Sequence, residues 1–443
     1  TVGGGCTLVD AVLAANTDAA AGGCPAGSGA DTIVLTDDVT LTSAFQTDAK
    51  GATGLPSVTS EIVLQGQDFA VRRQDSGPRF RILHVDRTGD LSFENHTIAH
   101  GYAQFRTDPT SDAELGGVLL NEGALTLTNS TVTGNVAGSA VASYEYGTGG
   151  GIATSGTLRV YSSTISYNVA RSYFGGGGGL FVDGNALIVN STISGNSASE
   201  DYARGGGVWR ESGNLRLING TLSNNYGGAI FGNAILVHST VADNITTPEN
   251  GYSGALDGTI MVTGSVLGYN QVGDSCSSGI VDGGGNFSDD ASCPAGFGVL
   301  TGLDPILSLN GGATRTHALL PGSSAADATG DCGIGIDQRG FPRDGDCDAG
   351  AFELGAQPLV LSLVGACPGM LDVGVSGATP SAEVTLYQGA TLDGDVVPSG
   401  SCSGTPLEMA APELVATTTA DGTGGASIML SVDADDCTEY LEA

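Results

Sequence analysis

The chain has 443 residues, of which 72 are glycine and 48 are acidic, against 15 basic residues. The resulting net charge of −33 repels nucleic acids and anionic membranes, and it repels polyuronates and sulfated glycans unless cations bridge them. No apolar run approaches the ~20 residues that a membrane-spanning helix needs. We therefore expect neither a nucleic-acid partner nor a membrane span.

The N-terminal segment predicts one short helix. Residues 6–16 place Leu8, Val12 and Ala15 on one helical face, and a Gly/Ala/Pro-rich loop follows before a strand begins at Asp31. A helix ahead of a β-solenoid would cover the apolar core and the open sheet edge of the first coil, so we interpret it as a cap. Because the chain starts at Thr1 without Met, we expect a removed signal peptide and a secreted protein.

The early β region contains the only basic cluster and three closely spaced histidines. The arginines could line a groove for an acidic substrate, or they could form local ion pairs with Asp68, Asp75 and Asp86. The histidines could bind a metal, although their spacing has no helical support. The residues concerned are Arg72, Arg73, Arg79, Arg81 and Arg87, and His84, His96 and His100.

Between Gly116 and Asn270 the chain repeats one sequence motif. Each copy has a Gly-rich step into an apolar residue, a short alternating strand, and a closing Thr-Val/Ile/Leu-x-x-Asn. Repeats of this size indicate a solenoid, in which each unit buries its apolar face against its neighbours. The two-residue period and the lack of a helical period predict a parallel β-helix. The closing Thr residues are Thr131, Thr164, Thr192, Thr221 and Thr240.

The asparagine that ends each motif is the most conspicuous polar residue of the repeat. It could form a stripe that binds sugar or ions on the surface. Its fixed place after the strand favours an internal ladder, in which stacked amides satisfy backbone groups at the corners of the coils. The ladder residues are Asn135, Asn168, Asn196, Asn225 and Asn244. The apolar residues expected to stack inward are Val132, Ile165, Ile193, Leu222 and Val241.

Six asparagines begin Asn-x-Ser/Thr sequons, which can accept an N-linked glycan at exposed positions. Several of them belong to the repeat itself, so the motif arises there without any need for glycosylation. The six are Asn95, Asn129, Asn190, Asn219, Asn244 and Asn286.

An aspartate-rich loop precedes the C-terminal region and could bind calcium, which accepts carboxylate and carbonyl ligands in irregular loops. The alternative is that Asp337-Gln-Arg339 closes the solenoid through salt bridges. The carboxylates of the predicted calcium site are Asp337, Asp344, Asp346 and Asp348. No other cofactor is expected.

The nine cysteines fit an oxidising compartment. Pairing of sequence neighbours predicts three disulfides, each worth roughly 3 kcal/mol in the chain-entropy picture. These pairs are Cys6–Cys24, Cys276–Cys293 and Cys332–Cys347. Of the remaining Cys367, Cys402 and Cys437, we expect the first two to form a bond, which leaves Cys437 free, paired between molecules or orphaned by truncation.

After Glu353 the composition changes to alternating segments separated by Pro and Gly turns, as at Leu359 to Val364 and Ala382 to Tyr387. About 85 residues of this kind predict a small, loosely Ig-like β-sandwich.

Two segments carry a family resemblance. Cys6-Thr-Leu with Ala11, Ala15-Asn16 and Cys24 resembles the N-terminal cap of secreted bacterial β-helix proteins with a "CSLREA" motif. The segment from His317-Ala-Leu-Leu-Pro to Gly350-Ala-Phe-Glu353 is similar to the closing segment of "choice-of-anchor" surface β-helix proteins. The resemblance implies a right-handed parallel β-helix exported to a bacterial cell surface or matrix. It also likens the last domain to four-cysteine appendages of such proteins.

Together these features predict an all-β chain in four parts. The parts are a cap with the first strand (1–45), β-helix coils (46–310), a closing segment (311–356) and a β-sandwich (357–443).

For function, we expect a non-enzymatic extracellular β-helix protein with a structural or adhesive role. We expect it to be a subunit of a surface fibre or matrix. The subunits would associate end to end through the C-terminal domain. The alternative is a carbohydrate-active enzyme or polysaccharide-binding protein of the pectate-lyase-like type, with a glycan as partner. The single lysine, Lys50, and the strong negative charge count against the enzyme. No acidic residue recurs at equivalent strand positions, so no acid/base pair is nominated.

Overall fold

The protein is described from a computed structural model. The described residues are 1–103, 115–138, 147–171, 176–198, 204–246, 254–330, 332–343, 345–356, 360–365, 369–376, 383–389, 413–420, 425–432 and 440–442. Cys367, Cys402, Cys437 and Asp344 lie outside these residues, as does the predicted Cys367–Cys402 bond.

The described chain is almost entirely β-structure and forms two compact units. The first comprises Thr1–Ala325 with Ala349–Phe352, and the second comprises Ala326–Asp348 with Glu353–Ala443. The predicted closing segment, 311–356, is therefore divided between the two units.

Sheet 1 of the first unit has 16 strands. They are Asp31–Val34, Glu61–Gln65, Leu83–Val85, Asp90–Glu94, Leu119–Asn121, Ala124–Thr128, Ile152–Thr154, Thr157–Tyr161, Leu180–Val189, Val208–Ile218, Ile230–Phe231, Ala234–Val237, Gly254–Asp257, Ile260–Thr263, Asp274–Cys276 and Ile280–Asp282.

Sheet 2 has 11 strands and sheet 3 has four. The strands of sheet 2 are Val39–Leu41, Ala70–Arg73, Thr97–Ala99, Thr131–Thr133, Thr164–Ser166, Thr192–Ser194, Thr221–Ser223, Thr240–Ala242, Val266–Gly268, Phe287–Ser288 and Gly298–Val299. The strands of sheet 3 are Tyr102–Ala103, Val136–Ala137, Val169–Ala170 and Ser197–Ala198. A short antiparallel hairpin, Gln46–Asp48 with Gly51–Thr53, interrupts the early coils.

Every strand pair in these three sheets is parallel, and sheets 2 and 3 follow chain order from edge to edge. In four consecutive coils the chain visits sheet 1, then sheet 2, then sheet 3, and returns one strand further along, whereas the other coils visit sheets 1 and 2. This arrangement is compatible with a parallel β-helix. The register slips once, between Val182 and Asp183, where one extra residue of the neighbouring strand forms a bulge.

The predicted inward ladder is confirmed. Consecutive strands of sheet 2 place Val132 beside Ile165, Ile193, Leu222 and Val241 in direct register. All five side chains are at most 1% exposed. Successive side chains of a strand point to opposite faces, so apolar inward residues alternate with polar outward ones. The inward residues of neighbouring coils pack into one continuous core.

The predicted N-terminal helix is present at Leu8–Thr17. Thr7 begins it as N-cap and accepts a hydrogen bond from the Asp10 backbone N–H at 3.1 Å, and the left-handed Asp18 ends it. Its apolar face, including Leu8 and Val12, packs against the first strands of sheet 1.

Three disulfides join the neighbouring cysteines that the sequence paired. Cys6 is bonded to Cys24 beside the helix, and Cys276 to Cys293 at the last coils. The third bond, Cys332–Cys347, lies within the second unit.

A return segment in the first unit, Leu303–Ala325 with Ala349–Phe352, runs back across the outer face of sheet 2. Thr192 donates to the carbonyl of Arg315 at 2.6 Å, and the backbone N–H of Ala351 donates to Thr240 Oγ1 at 3.0 Å. This part of the face of sheet 2 is therefore covered, and Thr192, Thr221 and Thr240 are at most 1% exposed although they point away from the core.

The second unit contains two three-stranded antiparallel sheets. One is Val360–Gly365, Gly369–Ser376 and Ala426–Val432, and the other is Glu413–Thr419, Glu383–Gly389 and Tyr440–Glu442. The antiparallel pairing sets this unit apart from the parallel coils.

We predict that Ile193→Asp lowers the free energy of unfolding by more than about 4 kcal/mol, because it places an unpaired charge inside a closed core. Ile235→Asp is the matched control, since Ile235 also lies on a solenoid strand but is 43% exposed. Its cost should stay below about 1 kcal/mol. Urea unfolding measures both, and equal losses would contradict the inward assignment.

Candidate functional site

The asparagine at the corner of each coil is internal, as the ladder interpretation expected. Each Asn side-chain oxygen accepts two hydrogen bonds from the Asn of the preceding coil, one from its backbone N–H and one from its side-chain amide. For Asn168 and Asn196 both distances are 3.0 Å. The same amide also donates to a strand carbonyl, as from Asn196 to Ile165 at 2.9 Å.

The ladder is longer than the sequence suggested. Asn270 adds a sixth rung by accepting from Asn244, and Gly101 donates its N–H to Asn135 at the other end. The five predicted ladder residues are at most 1% exposed. Their polar atoms are used inside the coil stack, so no face of the ladder is left to bind a sugar or an ion.

A second ladder, made of serines, closes the neighbouring corner between sheets 1 and 2, and the sequence interpretation missed it. Ser130 donates its backbone N–H to Ser163 Oγ at 3.0 Å, and Ser163 donates to Ser191 Oγ at 3.1 Å. Each hydroxyl in turn donates to the carbonyl two residues earlier. The signal was the serine directly before four of the five closing Thr residues, with Gly220 at the fifth. Two of these serines are also the middle residue of a sequon, which drew attention to the asparagine instead.

The sequon asparagines differ sharply in accessibility. Asn219, Asn244 and Asn286 are at most 2% exposed and hydrogen-bonded in the stack, so a glycan has no room at these positions in the folded protein. Asn129 and Asn190 are half-buried. Asn95 is exposed, in a left-handed turn, and is the sequon best placed for glycosylation.

In the second unit, the predicted calcium carboxylates are largely engaged by protein groups. Asp337 is fully buried, accepts from Arg339 at 2.7 Å and from the backbone N–H of Glu353 at 3.0 Å. Asp348 accepts the backbone N–H of Asp327 at 2.8 Å, and burial raises the pKa of its carboxyl. Asp346 is exposed. A calcium site here stays a prediction, and the described contacts are those of a salt-bridged closure.

That closure centres on a buried ion pair between Arg343 and Glu353, 2.9 Å apart. Arg343 also donates to the carbonyls of Ile336 and Asp348. A buried charge is tolerated only when its hydrogen-bonding groups are matched, and here they are matched within the same unit.

The arginines of the early coils are dispersed and do not line one groove. Arg72 pairs with Asp38 at 2.6 Å, and Arg79 lies over the ring of Tyr102. Arg73 donates to carbonyls of its own turn and to that of His100, and burial lowers the pKa of its guanidinium. Arg81 is fully buried. Each of these side chains therefore has a local structural role.

The three histidines also lie apart. His100 contacts Asp75, and His96 is buried at a corner, 4.5 Å from the ring of Phe93. Neither ring nitrogen of His96 has a hydrogen-bond partner, and burial lowers its pKa to about 4. The three histidines do not form a metal site together.

His84 instead belongs to a polar row that reaches the hairpin. Its Nδ1 lies 2.9 Å from Ser57 Oγ, and its Nε2 lies 2.9 Å from Glu122 Oε2. Lys50 contacts the other oxygen of Glu122 at 2.9 Å, and Arg87 lies 3.6 Å from it. Burial would raise the pKa of the Glu122 carboxyl, but the hydrogen bonds from Lys50 and His84 outweigh this effect and the pKa falls below its ordinary value.

Among the described residues, one group of three metal-ligand side chains lies close enough to share an ion, namely His84, Asp86 and Glu122, with ligand atoms within 4.8 Å of one another. Two carboxylates and an imidazole suit a divalent cation. However, both oxygens of Glu122 already accept from His84 and Lys50, so an ion would have to displace the ammonium group.

An aromatic file lies on the outward face of sheet 1. Phe181 and Trp209 meet edge to face at 5.2 Å between ring centroids, and Trp209 meets Phe231 at 6.3 Å. Arg204 stacks over Phe231 at 4.7 Å. All three rings are half-buried at outward positions of consecutive strands.

No protein-family model, curated protein or solved structure matches this chain. Within the part of the chain that the structure describes, no helix has the length and apolar character needed to cross a membrane.

We predict that Asn196→Ala lowers the free energy of unfolding by about 2–5 kcal/mol, because it leaves the buried N–H and amide of Asn168 without their acceptor. Asn185→Ala is the control, since Asn185 also accepts from an Asn of the next coil, Asn214, but on the exposed surface. The control should cost less than about 0.5 kcal/mol. Equal effects in urea unfolding would show that the ladder contributes nothing.

The buried His96 predicts a loss of stability in acid. Its pKa is lowered to about 4 in the folded protein from an ordinary value of 6.5, so its contribution is complete above pH 6.5 and is lost as the pH falls towards 4. His96→Phe should remove about 2–3 kcal/mol of the difference in unfolding free energy between pH 7 and pH 4. His100→Gln should leave that difference in place. An unchanged acid dependence in His96→Phe would refute the assignment.

Proposed function

We propose that this protein is a non-enzymatic extracellular structural protein, a subunit of a surface fibre or matrix. The observation that carries the proposal is the double internal ladder. The recurrent asparagines and serines of the two ladders donate and accept within the coil stack, so they stiffen the repeat and are not presented to a ligand. Ten strands follow one another along the main path of sheet 1, which gives a stack about 43 Å long.

The finer architecture belongs to this proposal. We take the coils to form a right-handed parallel β-helix, with the helix Leu8–Thr17 as its cap. We take the two antiparallel sheets of the second unit to form a small, loosely Ig-like β-sandwich. A capped end blocks edge-to-edge growth, so assembly would depend on another surface. The C-terminal domain is that surface in our proposal, which gives unlike ends that meet repeatedly without closing a ring.

An extracellular setting accords with the three disulfides, which persist in oxidising compartments. The net charge of −33 accords with it as well, because like charge keeps neighbouring coil surfaces from sticking laterally.

The second candidate is a polysaccharide-binding β-helix, with or without enzymatic activity, and the aromatic file favours it. Phe181, Trp209 and Phe231 follow one another on three adjacent strands of sheet 1, and Trp209 is the only tryptophan of the chain. Aromatic side chains on an outward sheet face can contact the apolar faces of sugars. Against it, the rings meet edge to face and give no flat platform.

We predict that the full-length protein assembles in a concentration-dependent manner and that residues 357–443 contact a neighbouring subunit, burying at least ~1,000 Å² in total. Deleting residues 357–443 should leave folded coils that no longer assemble, because each coil depends on its neighbours. Sedimentation velocity over a hundredfold concentration range, with negative-stain microscopy, measures this. A full-length protein that stays monomeric would contradict the fibre and favour a single-chain adhesin or the polysaccharide binder.

A further inference from the structure

Ser57, His84 and Glu122 form a continuous hydrogen-bonded row across neighbouring coils. The backbone pairing of Val58 with Val85, and of Val85 with Asn121, brings the three side chains together although 27 and 38 residues separate them in the chain. Each of the two contacts that His84 makes is 2.9 Å long.

The protons of this row have one consistent arrangement. Glu122 also accepts from the ammonium of Lys50, and its lowered pKa keeps it ionised at neutral pH. An ionised carboxylate accepts only, so His84 Nε2 carries the proton that it donates to Glu122. In the tautomer that this contact selects, Nδ1 is the acceptor. Ser57 Oγ accepts from the Gln46 side-chain amide at 2.8 Å. The Ser57 hydroxyl proton is therefore free to point at His84 Nδ1.

The burial of the row is graded. The His84 ring is 4% exposed and the Glu122 carboxylate is shielded with it, whereas Ser57 is half-buried at the solvent edge. The base and the group that orients it are thus sheltered from water, whereas the residue that carries the hydroxyl is partly open to solvent. This is the order in which a nucleophile, a base and an orienting carboxylate act.

A second Ser–His contact in the same unit serves as a comparison for the Ser57–His84–Glu122 row. Ser223 Oγ lies 2.9 Å from His317 Nε2, but both residues are fully buried. The other nitrogen of His317 donates to the backbone carbonyl of Asp304, and no carboxylate orients the ring. That pair is structural, and it serves as an internal reference for the reactivity of Ser57.

We propose that Ser57 is a nucleophile for acyl transfer from small esters, with His84 as its general base and Glu122 as a positioning residue. This activity goes beyond the structural role proposed above and does not depend on it.

The reaction would balance as follows. Ser57 Oγ forms a bond to the acyl carbon while its proton passes to His84 Nδ1, and the carbonyl oxygen takes up the electron pair. Collapse breaks the bond to the alcohol, which leaves with the proton from His84. Water, deprotonated by His84 in the same way, then releases the acid and restores the Ser57 hydroxyl. Glu122 stabilises the imidazolium in each step.

The nitrogens are used in the opposite sense to the usual serine–histidine–acid arrangement, since Ser57 contacts Nδ1 and Glu122 contacts Nε2. Proton transfer requires only that one nitrogen accepts while the other is held protonated, so the reversal does not remove the chemistry.

The experiment treats the full-length protein with a fluorophosphonate probe and locates the adduct by peptide mass spectrometry. Ser57 should be labelled at least tenfold faster than Ser223 and Ser60, and p-nitrophenyl acetate should give a stoichiometric burst of nitrophenol. His84→Gln should lower the labelling rate by about 100-fold, the usual contribution of a general base. Ser60→Ala is the matched control, because its hydroxyl lies near Ala15 and Asn16 and contacts no histidine.

Thermal unfolding checks that each variant is folded. If His84→Gln does not fold, Glu122→Gln decides, since loss of the carboxylate that orients His84 should also lower the labelling rate of Ser57. Labelling of Ser57 no faster than of Ser223 and Ser60, or a rate that neither variant lowers, would overturn the proposal and leave the row as a structural contact between hairpin and coils.

Discussion

The structure depends on the satisfaction of backbone polar groups at the corners of each coil. A strand in the middle of a parallel sheet pairs with both neighbours, but at a corner the chain turns and its N–H groups lose the regular ladder partners. The Asn and Ser ladders supply those partners from the next coil. Replacing water at these corners by side chains allows the interior to be apolar, since the backbone N–H groups of the ladder residues find their acceptors within the stack.

The sequence predicted the periodic part of this structure well. Side chains of a strand alternate between an inward and an outward face, so the same alternation produces the sequence period and decides which residues are buried. Val132 and Ile193 could be assigned to the core, and Asn168 to an internal corner, from their place in the motif. The return segment was not predicted in detail, because Thr314 to His317 contact coils more than 90 residues away and follow no period. The serine ladder was present in the motif but overlapped with sequons, so its residues were interpreted through glycosylation chemistry.

The candidate reactive row was beyond sequence reasoning for a related reason. Ser57 and His84 come from early coils that precede the repeated motif, and Glu122 comes from the first copy of that motif. A hairpin also interrupts the early coils between Gln46 and Thr53. Only the register of neighbouring strands brings them together. The three histidines looked like one set because they lie within 17 residues, from His84 to His100, yet the coil geometry gives each a different environment. Proximity in sequence is a poor guide in a solenoid, where neighbours in space are one coil apart.

The unequal coil lengths have a consequence for how this protein can change. Consecutive ladder asparagines are 33 residues apart from Asn135 to Asn168 and 28 apart from Asn168 to Asn196. Eleven residues separate Ala137 from Gly149, and six separate Ala170 from Gly177, so the whole difference of five arises at this one edge. Residues added between these positions do not change which asparagines and serines of neighbouring coils pair with each other. Evolution can therefore change the length of the sequence between these positions independently of the stack, in the way that antibodies vary parts of their chains on a constant framework.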